Sequence, residues 1–143
     1  MYSHRLGLPH EYGSYYRDGI RYGLGPSVIF VFGSNLLGIH GNGAAKIALD
    51  EYAAIRGQGE GLQGRSYGIP TRVRPYQSLL LGEIRKHVDR FAMAVQQNPH
   101  LYFFVTAIGT GHAGYKDEDI APMFRGIPRC WFNERWIPYL EGR

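Results

Sequence analysis

Short, solid apolar runs alternate along this chain with one long stretch of helical spacing. Residues 28–32 (VIFVF) form an unbroken β-branched and aromatic run, the pattern of a strand buried on both faces. Residues 101–107 (LYFFVTA) form a second such run. Between them Leu80, Ile84, Val88, Phe91 and Val95 recur at three- and four-residue steps. That stripe predicts an amphipathic helix over 79–97, stopped by Asn98 and Pro99. Residues 44–56 (AAKIALDEYAAIR) predict a further helix, 57–64 (GQGEGLQG) a flexible loop, and 66–70 (SYGIP) a short strand ended by Pro70, Thr71 and Arg72. Asp117 and Asp119 offer N-terminal capping to a helix reaching Met123. Residues 1–26, rich in Tyr, Gly, Arg and His, have no period and read as an irregular arm; the tail with Trp131 and Trp136 reads as a wrap over the core.

Strand, glycine loop and helix thus occur twice with a long helix between, which predicts an α/β fold with a mainly parallel sheet covered by helices. With 143 residues the chain is read as an arm, 1–26, and one domain, 27–143. In such sheets ligands sit beyond the carboxyl ends of the strands. Both glycine loops directly follow a strand, so they are expected to converge at one end of the sheet.

Composition sharpens this picture. There are 20 glycines, about twice the usual share. The net charge of +4 fits an anionic partner, and equally fits plain solubility, because no long basic run is present. The single cysteine, Cys130, allows no internal disulfide and suits a reducing, cytoplasmic setting. No apolar stretch nears the roughly 18 residues of a membrane span, so no membrane partner is expected. Metal-ligand spacing and a Walker-type lysine motif are both missing, so neither a metal nor a cofactor is expected.

The first loop places Gly38, Gly41 and Gly43 just ahead of a helix, whose N-terminus carries unpaired N–H groups and partial positive charge. Asn35, at the strand end, suits either a ribose hydroxyl or bracing of the loop. In the second loop Gly109, Thr110, Gly111, His112, Ala113 and Gly114 form a run of N–H donors able to wrap a pyrophosphate. Tyr115 closes it and suits packing against a sugar. His112 reads as a phosphate contact, as a base, or as a loop histidine with no chemical role.

The stretches VFGSNLLGIHGNGAAKI, from residue 31, and FVTAIGTGHAGYKDEDIA, from residue 104, resemble the two signatures of the macrodomain family, which binds ADP-ribose. YGIPTR at 67–72 followed by the long helix is similar to the branch that includes antitoxins removing ADP-ribose from DNA, and the loops are also similar to uncharacterised phage-type proteins. The resemblance spans residues 28–124. It implies a three-layer α/β/α macrodomain-like fold with a mixed, mostly parallel central sheet. It also implies binding of ADP-ribose or a related nucleotide diphosphate, with or without hydrolysis of an ADP-ribosyl linkage. Asn35 is then expected at the distal ribose, where it would orient a water. Gly41, Asn42, Gly43 and Ala44 would line the phosphate and distal-ribose side. Gly109, Thr110, Gly111, His112, Ala113 and Gly114 would hold the diphosphate, and Tyr115 would lie by the distal ribose. Arg72 stands where the DNA-directed branch carries a lysine, so Asn35 and Arg72 are the candidate catalytic residues.

The likeness departs in the first loop, where Ala44, Ala45 and Lys46 replace the acidic residue of one hydrolase branch, and at Ala113, where some members carry an acid. Ahead of the first strand only Asp18, upstream, offers the carboxylate that in the family holds adenine. Other readings stand beside this one. They are a binding-only module sequestering a nucleotide signal, a nucleic-acid-binding module using the basic surface and Arg/Tyr-rich arm as a stacking platform, and self-assembly through that arm. No oligomeric state follows from the sequence.

Overall fold

The computed structural model describes residues 4–5 and 14–141. Its centre is strand β4 (Val28–Asn35), where the apolar run dictates burial on both faces. Val28, Phe30 and Phe32 enter one apolar cluster, while Ile29 and Val31 enter another. This is the period-two alternation of a pleated strand. Helix α1 (Gly43–Glu51) supplies Ala45 and Ala48 to the first cluster. Helix α2 (Leu81–Gln97) supplies Ile84, Val88, Phe91 and Val95, the predicted stripe, to the second.

The remaining strands are β1 (His4–Arg5), β2 (Ser14–Tyr16), β3 (Tyr22–Gly23), β5 (Gly61–Gln63), β6 (Ser66–Arg74), β7 (Gln77–Ser78), β8 (Tyr102–Val105) and β9 (Cys130–Asn133). The main sheet runs β2-β9-β8-β4-β6-β5, with β7 also on β6. Strands β2, β9, β8, β4 and β6 are mutually parallel, while β5 and β7 run antiparallel to β6. The protein is therefore an α/β fold with a mixed, mostly parallel central sheet. Strands β1 and β3 pair in a separate two-stranded ribbon. Helix α3 (Asp117–Ile120) continues into a 3₁₀ turn, Ala121–Phe124, and α4 (Ile137–Glu141) follows another at Glu134–Trp136. No described helix is long and apolar enough to cross a membrane.

Several expectations shift. Helix α1 stops at Glu51, five residues early, because Ala53 takes a left-handed φ of 58° while the Tyr52 ring stacks on Phe30 at 4.6 Å. The strand at 66–70 runs on through Pro70 to Arg74, pairing with β4 across a register shift at Ser34/Asn35. The glycine-rich loop 57–64 contains β5, and Gly59 is packed so closely that an added Cβ would sit 2.1 Å from the Asn35 carbonyl oxygen. Residues 14–16 of the irregular arm form edge strand β2, while residues 1–3 and 6–13 of that arm lie outside the described residues. Part of the tail, β9, enters the sheet between β2 and β8, while Trp136, Tyr139 and Leu140 pack on the core. Asp119 caps α3 by accepting the Lys116 N–H at 3.1 Å, whereas Asp117 turns to other partners described below.

Connectivity fixes where a ligand can bind. From β4 the chain passes through α1 to β6 on one side, and from β8 it passes through α3 to β9 on the other. The strand order therefore reverses between neighbours β4 and β8, and a crevice opens beyond their carboxyl ends. The core beneath that crevice centres on Phe91, fully buried and in edge contact with Tyr67, Phe103 and Phe124. Phe91→Ala is expected to lower unfolding free energy by about 3–5 kcal/mol in urea titrations with little change in slope.

Candidate functional site

The two glycine loops meet at that reversal point. They enclose a cleft of about 280 Å³ lined by Asn42, Gly43 and Ala44 from the first loop and by Gly109, Gly111, His112 and Ala113 from the second. Arg72, from β6, lines the same cleft. A Cβ added to Gly43 would lie 3.9 Å from the His112 ring, and one added to Gly33 would lie 3.7 Å from the Gly109 amide nitrogen. The predicted convergence is therefore present in the geometry.

Helix α1 enters the cleft uncapped. Asn42 occupies the N-cap position without a side-chain hydrogen bond, and the first turn holds no acidic residue. The N–H groups of Gly43, Ala44 and Ala45 find no acceptor among the described residues, as expected for a first helical turn. The N–H groups of Gly109, Gly111, His112 and Ala113 are likewise without an acceptor there. Arg72 adds a full charge to this array. It is only 8% exposed, and its guanidinium makes no hydrogen bond or ion pair with the described residues. Burial, partly opposed by Tyr76, holds it below the ordinary arginine value. No carboxylate lines the cleft. A cation beside unpaired N–H groups makes a hollow of positive character.

The second loop is held in shape by its own bonds. Gly109 has φ 80°, and a Cβ there would lie 2.9 Å from Ile120, so both conformation and space require glycine. Thr110 donates its hydroxyl to the Ala107 carbonyl at 2.7 Å, and Gly114 closes a turn by donating its N–H to Gly111 at 3.0 Å. Tyr115 donates its hydroxyl to the Leu79 carbonyl at 2.5 Å, and Ser78 donates to the Ala113 carbonyl at 2.6 Å. Thr110, Gly114 and Tyr115 therefore build the loop, and the cleft is lined by their neighbours. The sugar-packing role expected for Tyr115 is replaced by this anchor.

Asn35 likewise does not line the cleft. It is fully buried, donating its amide to the Ile39 carbonyl at 2.9 Å and accepting the Ile39 N–H at 3.1 Å. Of the two roles expected for it, the bonds seen are those of loop bracing, and the side chain is buried away from the cleft. Gly41 lines a separate hollow with Ile39 and Arg56.

A second lobe, of about 320 Å³, adjoins the first, with Gly43, Ala44, Thr106 and Ala107 lining both. Its walls are aromatic: Tyr16 stacks on Phe104 at 4.1 Å, and Phe30 on Tyr52 at 4.6 Å. Sequence reasoning saw the Tyr-rich arm as a stacking platform but not this chamber, whose rings come from four separated segments. Asp18 lines its rim. Asn133 donates to Asp18 at 2.8 Å, and Arg135 donates to both carboxylate oxygens at 3.3 and 3.2 Å. The Asn133 hydrogen bond, reinforced by Arg135, holds the Asp18 carboxyl below its ordinary 3.8.

A carboxyl whose value falls on folding stabilises the fold while ionised. The contribution is complete above the unfolded value and is lost as pH falls through the folded one. Acid-unfolding curves of Asp18→Asn are therefore expected to lose part of the wild-type pH dependence below pH 3.8 and none of it at neutrality. No known family model matches the chain, and it matches no curated protein and no solved structure.

Proposed function

We propose that this protein binds a nucleoside diphosphate of the ADP-ribose type, with the diphosphate over the two glycine loops and the base in the aromatic lobe. The observation that carries this reading is Arg72, whose guanidinium lines the cleft with no carboxylate partner among the described residues, beside two sets of unpaired N–H groups. Charge-assisted hydrogen bonds to such an array are each worth about 1.5–3 kcal/mol, which favours a multiply charged anion over a neutral sugar. The adjoining lobe, lined by Tyr16, Phe30, Tyr52 and Phe104, offers stacking faces to a base. Apolar clusters on both faces of the sheet support the finer reading of the fold as a three-layer, macrodomain-like α/β/α arrangement.

Binding is favoured over hydrolysis. Of the residues lining the phosphate lobe, only His112 could exchange a proton at neutral pH, because Arg72 stays protonated. Asn35 is engaged in the loop. The proposed role is capture of a nucleotide ligand, which suits sequestration of a nucleotide signal.

Calorimetric titration with ADP-ribose, ADP, pyrophosphate and adenosine tests the reading. ADP-ribose and ADP are expected to bind one per chain with modest salt dependence, and adenosine far more weakly. A steep fall in affinity with salt, together with binding of oligonucleotides in preference to these ligands, would turn the reading to a nucleic-acid module. Gly111→Glu is the sharpest variant, because a Cβ at Gly111 meets nothing within 4 Å and the backbone is unstrained. It should fold normally yet place a carboxylate among the phosphates, weakening ADP-ribose binding at least about 30-fold, the equivalent of about 2 kcal/mol. Arg72→Met should separate two properties. The ligand-free protein should keep its stability to within about 1 kcal/mol, because the guanidinium lost bonds to nothing among the described residues. Nucleotide affinity should fall by about 2–5 kcal/mol, read by calorimetry. Loss of stability together with unchanged affinity would show that Arg72 serves the fold and not the ligand.

A further inference from the structure

One side chain, itself lining neither lobe, ties the rim of the aromatic lobe to the loop whose neighbouring residues line the phosphate lobe. Arg135, in the 3₁₀ turn Glu134–Trp136, donates through Nη1 to Asp18 on the rim of the aromatic lobe, at 3.3 and 3.2 Å. Through Nε and Nη2 it grips Asp117, at the start of α3, at 3.2 and 3.1 Å. Its Nη2 also donates to the Thr110 hydroxyl at 3.3 Å. That hydroxyl in turn donates to Ala107, a residue common to both lobes.

The backbone beneath Arg135 is fixed. Its N–H is accepted by the Asn133 side chain at 2.9 Å, and the next residue, Trp136, is fully buried and donates its indole N–H to Asp117 at 2.9 Å. An isolated pair at this exposure would contribute little, but a planar fork held by two carboxylates and a hydroxyl is a network with defined geometry. A lysine could not reproduce it, since one ammonium cannot present two fixed edges.

We propose that Arg135 is a positioning and specificity residue that sets the spacing between the base lobe and the phosphate lobe. The protein then selects ligands that occupy both lobes at once. The proposal rests on the nucleotide-diphosphate reading above. A ligand spanning both lobes gains from having them held at a fixed separation, because its second half binds without a further search. A ligand filling one lobe gains nothing from that spacing. Arg135 touches neither the unpaired N–H groups nor Arg72, so its removal should leave pyrophosphate unaffected.

The test compares ADP-ribose with pyrophosphate, titrated by calorimetry into wild type, Arg135→Ala and Arg135→Lys, with folding checked by circular dichroism. In Arg135→Ala the dissociation constant for ADP-ribose should rise at least about tenfold, while that for pyrophosphate stays within about twofold. Arg135→Lys, which keeps the charge, should show the same split, and it decides the matter should the alanine variant unfold. Equal weakening of both ligands would mean general damage to the phosphate loop and would overturn the spacing role. Wild-type affinity for ADP-ribose in Arg135→Lys would overturn the two-carboxylate clamp. If wild type binds pyrophosphate as tightly as ADP-ribose, the base-lobe reading itself fails and the spacing role fails with it. If wild type binds neither, the phosphate reading fails first. The patterns are distinct.

Discussion

An arginine that lines a cleft without a counter-ion among the described residues is the constraint around which this molecule is arranged. Arg72 belongs to a central strand, so its backbone cannot swing aside as a loop arginine's would. A fixed cation facing a cleft with no carboxylate beside it raises the local potential for anions. The unpaired amide groups of α1 and of the loop after β8 add to the same potential. Three positive contributions directed at one hollow oppose each other, and on the proposed reading the ligand's phosphates relieve all of them.

The rest of the fold keeps this arrangement from collapsing. Two apolar clusters grip β4 from opposite faces, so neither its end nor Gly33 can move aside. The loop after β8 is tied to β7 and the residue after it: Ser78 donates to the Ala113 carbonyl, and the Leu79 carbonyl accepts from Tyr115. Because β7 pairs with β6 at Arg72, that tie couples the loop to the strand carrying the charge. The bracing amide of Asn35 performs the same service for the first loop. Gly109 and Gly38 are both at positive φ with no room for a Cβ, so only glycine fits either turn without strain.

The legible part of this fold was whatever local pattern dictates. VIFVF, LYFFV and the stripe from Ile84 to Val95 each state their structure within a few residues, and the two glycine loops follow from where those strands end. What stayed hidden depends on partners far away in sequence. Strand β9 is four residues following Pro128 and Arg129, too short to show a period, and strand β2 is three. They recognise each other as Ser14 opposite Trp131 and Tyr16 opposite Asn133, pairings no local window contains. The aromatic lobe was hidden for the same reason, since Tyr16, Phe30, Tyr52 and Phe104 meet only in three dimensions. Asn35 and Tyr115 failed differently. A side chain that can bond a ribose can equally bond its own backbone, and residue type alone does not choose between the two.

That ambiguity bears on whether such a site does chemistry. Rate acceleration requires groups that bind the transition state better than the ground state. Amide N–H groups and a permanently protonated guanidinium around a diphosphate would grip phosphates that do not change during cleavage of a glycosidic bond, so on the proposed reading their contribution is equal in both states. A group able to take or give a proton would have to come from His112, which is exposed at the tip of the second loop, or from the ligand itself. A lysine in place of Arg72 would differ in kind, because burial can bring an ammonium to neutrality and make it a base, while a guanidinium keeps its charge. With arginine there, the proposed reading makes the hollow a site that holds an anion without a base beside it. The physics of the site therefore leans toward retention of a ligand and away from its conversion.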